Sequence, residues 1–206
     1  MNESADEGRN AVNVLEFPRS LEERLYRNPV VASLYGTESV EAFLAGPCQV
    51  AIAANVALPD LEGLVSTLSS AGKFVFVNID NSDGLAQDRG GVEYLRKIGT
   101  PGLITTRTML IQKANQLGMV TMQKVFITDR STLPRSTNAV RQNRPHLVQL
   151  MPWPVIPYIK QQELAELTPY VAAGFVQSRD DVIAALKGGA TAVSTSDVEL
   201  WSITRR

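Results

Sequence analysis

Apolar and polar positions change rhythm along the chain. From Asn28 onward, short β-branched runs alternate with stretches of helical period, and turn residues separate them. The runs are VVASLY (30–35), QVAIAANV (49–56), FVFVNID (74–80), GLITT (102–106), VTMQKVFI (120–127), LVQLM (147–151), YVAAGF (170–175) and AVSTS (192–196). The stretches between them predict helices over 38–45, 59–71, 89–98, 108–117, 136–143, 155–166 and 178–188, with a short one at the end. Such alternation implies an α/β fold, a parallel sheet covered by helices. Strands begin roughly every 20–25 residues, which fits a compact (β/α)8 TIM-type barrel better than an open sheet. No GxGxxG follows the first strand, which argues against a dinucleotide-binding open sheet. Residues 1–25 are polar without a clear period and predict a loose N-terminal extension, leaving 26–206 as one barrel domain.

Barrels of this kind carry their chemistry at the C-terminal strand ends, and phosphate commonly binds where the seventh and eighth strands finish. Here those ends are Ala173-Gly174 and Ser194-Thr195-Ser196. Small residues, hydroxyls and free amides at a strand-to-helix turn suit an anion. The rival reading is a capping turn, in which Ser196 or Asp197 caps a short last helix pinned by Leu200 and Trp201. The two adjacent strand ends taken together favour the anion site.

The remaining strand ends offer further pocket candidates. The third gives Asn78 and Asp80, where Asp80 accepts from a substrate hydroxyl, helps hold a divalent cation, or simply closes a turn before Asp83-Gly84. The fourth gives Thr106 and Arg107, a hydroxyl beside a guanidinium. On the fifth, strict alternation puts Met122, Lys124 and Phe126 on one face. If that face is inward, Lys124 becomes an anion ligand or a Schiff-base candidate; the alternative is a lysine reaching out to solvent. The sixth carries Gln149 and runs into MPWPVIP, whose prolines stiffen a segment that places Trp153 over or under the mouth. No paired carboxylates and no His–Asp pair are evident, so no catalytic residue is assigned.

Composition narrows the classes. One cysteine, Cys48, excludes an internal disulfide, and one histidine, His146, excludes a multi-histidine metal site. The expectation is no metal and no cofactor, a cytoplasmic setting, and no membrane partner, since no apolar run approaches the ~18 residues a span needs. Net charge is only −1, but between Arg107 and Arg144 seven bases face a single acid, Asp129, a local balance of +6. A one-sided basic patch on a near-neutral protein binds nucleic-acid backbone, and Arg130, Arg135, Arg141 and Arg144 are the candidates. The alternative is a solvated face whose charges meet the acidic N-terminal segment or a second subunit, so a homo-oligomer stays open.

Taken together, VFVNIDNSDGL, GLITTR, TMQKVFITD, VAAGFVQSRDDV and GATAVSTSDVELW resemble the glycerol-3-phosphate-responsive antiterminator family, from about residue 29 to 201. The resemblance implies a compact β/α barrel with a regulatory role: glycerol 3-phosphate binds, and the protein acts on leader mRNA to prevent early termination. It implies ligand contacts at Ala173, Gly174 and Ser194–Ser196. Several strand ends depart from the family pattern. Asn78 stands for a histidine, Lys124 for an arginine, Gln149 for a glutamate and Trp153 for a glycine, and Ala173-Gly174 has one glycine fewer. The reading is therefore a divergent member that binds glycerol 3-phosphate or a related anionic metabolite. A barrel enzyme on a small phosphorylated substrate, with Lys124 and Asp80 as partners, and a sensor barrel without RNA binding are the alternatives.

Overall fold

The structure, a computed structural model, describes residues 17–205. Eight strands pair in chain order and close into a barrel: β1 (Val30–Tyr35), β2 (Val50–Ala54), β3 (Phe74–Asn78), β4 (Gly102–Thr105), β5 (Val120–Phe126), β6 (Leu147–Met151), β7 (Tyr170–Ala173) and β8 (Ala192–Thr195). All pairings are parallel, and the seam sets Val31 of β1 opposite Ser194 of β8. The helices are α1 (Arg19–Arg27), α2 (Val40–Ala45), α3 (Leu58–Ser70), α4 (Arg89–Lys97), α5 (Thr108–Gln116), α6 (Leu133–Asn143), α7 (Gln161–Ala165) and α8 (Arg179–Lys187). None is long and apolar enough to cross a membrane among the described residues. The barrel expected from the sequence is thus present, with every predicted strand.

Two segments differ from expectation. The predicted extension through residue 25 gives way to α1 from Arg19 onward, and residues 1–16, with their acidic run, lie outside the described residues. Leu21 and Leu25, one helical turn apart, are fully buried against the barrel's inner residues and close its N-terminal end. The predicted helix over 155–166 is instead a 3-10 segment, Trp153–Tyr158, followed by the short α7. Pro152, Pro154 and Pro157 explain this, because each removes an N–H and the ring blocks the preceding turn.

Two apolar layers follow from the period of two along each strand. Outward residues such as Val75, Val77, Leu103 and Val193 pack under the helices. Inward residues form a second cluster: Val31, Val50, Ile52, Phe76, Ile104, Met122, Leu147, Val171 and Ala192, sealed below by Leu21 and Leu25. Gly102 opens this interior, since a Cβ there would stand 2.6 Å from the Phe76 ring. Local caps fix where the helices begin. Asp88 accepts from the Gly91 amide at the start of α4, and Ser178 and Asp181 form a reciprocal capping box on α8.

Candidate ligand site at the barrel mouth

Six of the strands are apolar inside the barrel and turn polar or small one inward position later. Val31 is followed by Ser33, Phe76 by Asn78, Met122 by Lys124, Leu147 by Gln149, Val171 by Ala173 and Ala192 by Ser194. These second residues line a cavity of about 280 Å3 at the C-terminal end of the strands. Tyr35, Ile52, Ala54 and Met151 complete its walls, and Gly174–Gln177 and Ser196 form its rim. Lys124 is the only charged side chain among these lining residues. Burial lowers the pKa of its ammonium, and the nearby Asp80 carboxylate partly opposes that shift. A desolvated cation among hydroxyls and amides, with no carboxylate in the wall, is chemically suited to an anion.

Lys124 and Gln149 are register partners on β5 and β6, so their side chains lie on the same inward face. The Gln149 amide spans the floor and donates from Nε2 to Ser194 Oγ at 3.1 Å. Its Oε1 is buried without a partner. On the β7 side, Gly174 and Phe175 both have positive φ, 76° and 61°. For Phe175 that conformation is strained, and its ring is left 70% exposed at the rim.

The segment after β8 serves both readings drawn from the sequence. Ser194, Thr195 and Ser196 all border the cavity, and the Thr195 hydroxyl also ties the turn together: its Oγ1 donates to the Val176 carbonyl and accepts from the Asp197 amide. The cap is Asp197, which accepts from the Glu199 amide, and Trp201 Nε1 donates to the Thr195 carbonyl. Free amides were expected at the neighbouring helix starts, and several of these are spent. Asp181 takes the amides of Gln177 and Ser178, and these bonds with the Ser178 hydroxyl hold its carboxyl below the usual range.

Four expected pocket residues stand elsewhere. Asp80 does not line the cavity. Its oxygens accept from Thr105 Oγ1 at 2.6 Å, Thr106 N at 2.7 Å and Thr106 Oγ1 at 2.9 Å, with Arg107 Nε 3.8 Å away. Asp80 is thus a staple between the ends of β3 and β4, which takes Thr106 and Arg107 with it. Among the described residues no cluster of three His, Cys, Asp or Glu side chains is placed to hold a metal ion. Trp153 is buried beside α8, its amide donating to the Gly174 carbonyl at 3.2 Å and its indole directed at Asp181. The sequence reading missed Ser33, Tyr35, Ile52 and Ala54, and the inward period of β1 and β2 was the signal for them.

The basic candidates spread along α6. Arg130 lies in the 3-10 turn before that helix at the mouth end, and Arg144 follows it at the other, with the helix, about 16 Å long by its rise, between them. Arg141 pairs with Glu166 at 2.6 Å, and Arg130 donates to the Tyr158 carbonyl at 3.3 Å. Arg135 is exposed in the first turn. His146 lies at the N-terminal end of the barrel, away from the mouth. Its Nδ1 accepts from the Thr121 amide, and burial lowers its pKa. Cys48 is buried, and burial raises its thiol.

A closed parallel barrel with a small, lysine-bearing polar cavity at its strand ends is a barrel of the TIM class whose mouth is a candidate ligand site. The chain belongs to the glycerol-3-phosphate responsive antiterminator family, whose model matches residues 30–201. Among solved structures it is similar to the glycerol uptake operon antiterminator regulatory protein of Listeria monocytogenes. That match has a TM-score of 0.78 and 24% identity, covering 84% of this chain and 94% of the other. A glycerol uptake operon antiterminator-related protein of Thermotoga maritima gives a TM-score of 0.76 and 22% identity, covering 86% and 99%. The uncharacterized protein YgcP of Escherichia coli K12 is 21% identical over 183 residues, 88% of this chain and 96% of its own.

Proposed function

We propose that this protein is a ligand-responsive antitermination regulator that takes glycerol 3-phosphate, or a related small phosphorylated metabolite, at the barrel mouth and acts through leader mRNA. The observation that carries the reading is the mouth cavity itself, where Lys124 is the only charge among hydroxyls and amides. Its volume, about 280 Å3, sits at the lower edge of the ~300–1,000 Å3 of ordinary ligand sites and suits a molecule of a few carbons. Lys124 serves a phosphate as a point charge, Ser194 and Ser196 offer hydroxyl donors, and Gly174 lets the backbone come close. A ligand hydroxyl that reaches Gln149 would supply the partner its amide lacks.

A thermal-shift titration with glycerol 3-phosphate tests this, with glycerol and inorganic phosphate as controls. Occupancy at ~100 times the dissociation constant stabilises by ~2.7 kcal/mol, roughly 5–10 °C for a chain of this size. Shifts no larger than those of the controls would remove the proposed ligand. One observation favours an enzyme instead, the lowered pKa of Lys124, which suits a Schiff-base lysine. That reading lacks its acid–base partner, because Asp80 is committed to Thr105, Thr106 and Arg107.

A further inference from the structure

Beside the mouth lies a second, smaller cavity of about 180 Å3, between the loop that follows β5 and the proline-rich loop that follows β6. Its floor is apolar, built from Ile127, Leu133, Val155 and Ile159. Arg130 stands on one wall and Tyr158 on the other, joined by the hydrogen bond from Arg130 to the Tyr158 carbonyl. Tyr158 is 76% exposed, although it sits in a segment stiffened by Pro154 and Pro157. At the end of β5, Phe126 is 52% exposed. Two large aromatic faces held open to solvent by rigid backbone are preformed surfaces in search of a flat partner.

The charge around this slot names the partner's sign. From Arg130 to Gln162 the chain contains no Asp or Glu, but it does contain Arg130, Arg135, Arg141, Arg144 and Lys160. The single acid in the slot is Asp129, whose carboxylate is turned onto the amide and hydroxyl of Ser131 and the hydroxyl of Thr128. Of the bases, Arg141 is paired with Glu166. A polyanion that carries flat aromatic groups meets both conditions, whereas the slot is too small for a helix or strand of a protein partner. Single-stranded nucleic acid binds in this way, its bases stacked on aromatic side chains and its phosphates on a basic track. A duplex cannot, since its bases are already stacked.

We infer that the slot between Arg130 and Tyr158 receives an unpaired base of RNA, with the backbone running along α6 past Arg135. The inference rests on the RNA part of the function proposed above and gives it a place. It also gives the ligand a route to the RNA. The Ile127 amide donates to the Met151 carbonyl at 2.8 Å, and the Trp153 amide donates to the Gly174 carbonyl at 3.2 Å. Met151 and Gly174 both line the mouth cavity. The floor residue Ile127, and Trp153 at the head of the segment that carries Tyr158, are therefore each one hydrogen bond from a residue of the mouth cavity.

The test is filter binding of the full chain to short single-stranded RNAs of random sequence, enriched by selection on the wild-type protein with and without glycerol 3-phosphate. Tyr158→Ala is expected to weaken retention of the enriched pool ~5- to 150-fold, the ~1–3 kcal/mol of one base–aromatic stack. Tyr158→Trp, which keeps a stacking face, should retain binding, as should Arg89→Gln on the distant surface of α4. Arg130→Gln should weaken binding and flatten its dependence on salt. Equal binding by wild type, Tyr158→Ala and Arg130→Gln would overturn the slot while leaving RNA action in place. Equal retention of a duplex made from the same sequences would overturn base stacking. Failure of the wild-type protein to enrich any RNA would overturn both the slot and the RNA reading, and would point to a protein partner.

Discussion

Lys124 shows how a single residue carries opposed demands. Its ammonium costs the protein stability, because burial lowers its pKa and the Asp80 carboxylate opposes that only in part. Lys124→Met should therefore stabilise the unliganded protein by about 1 kcal/mol, ~2–4 °C in midpoint, and weaken binding of a phosphorylated ligand. The pH dependence has a definite sign. Between the lowered folded pKa and the unfolded value near 10.5, the unfolded chain binds more protons, so wild-type stability rises with pH there. Urea unfolding at neutral and at alkaline pH should show the gap between wild type and Lys124→Met closing as pH rises. A gap that widens would mean the ammonium is already well paired. At this scale the sequence was partly legible. Alternation along β5 put Lys124 with Met122, and the cavity confirms that face as inward. Asp80 stayed open because a carboxylate at a strand tip looks the same whether it awaits a ligand, closes a turn or ties down Thr105 and Thr106. That difference lies in strand-to-strand geometry, which no local pattern carries.

The elements were legible to different degrees. Long β-branched runs made the strands plain. α1 was not plain, because RSLEERLYR has only Leu21 and Leu25 as a stripe among five charged residues, and its worth depends on the barrel end it fills. The burial implies a large cost on truncation. Leu25→Ala should destabilise by ~2–5 kcal/mol, as other fully buried leucines do. Gly102→Ala, which drives a methyl at the Phe76 ring, should cost about 1–3 kcal/mol. Chemical denaturation midpoints check both, and a change below ~0.5 kcal/mol at Leu25 would mean α1 frays from the barrel without consequence. The proline-rich segment after β6 shows the converse. Its helical reading failed where Pro154 and Pro157 fall, and the 3-10 turn that results holds Tyr158 outward and Trp153 inward.

Over the whole molecule, function is divided by position along the barrel axis. The N-terminal end is sealed by Leu21 and Leu25, and the middle is packed with apolar side chains. Polarity is reserved for the last inward layer, where Ser33, Asn78, Lys124, Gln149 and Ser194 meet. The net charge of −1 hides the acid-free stretch of chain that runs from Arg130 to Gln162. That division suits the proposed ligand-responsive regulator: a rigid barrel would hold the small molecule, and the two loops beside the mouth are each joined to a cavity residue by a single hydrogen bond. The central claim is that the mouth cavity is the ligand site. Titration calorimetry of glycerol 3-phosphate into wild type, Lys124→Met and Ser194→Val tests it most directly. The account predicts saturable one-site binding to wild type, weakened roughly tenfold or more in each variant, the ~1.4 kcal/mol or more of one lost charge-assisted contact. Wild-type binding that survives unchanged in both variants, or no binding at all to the folded wild type, would contradict it.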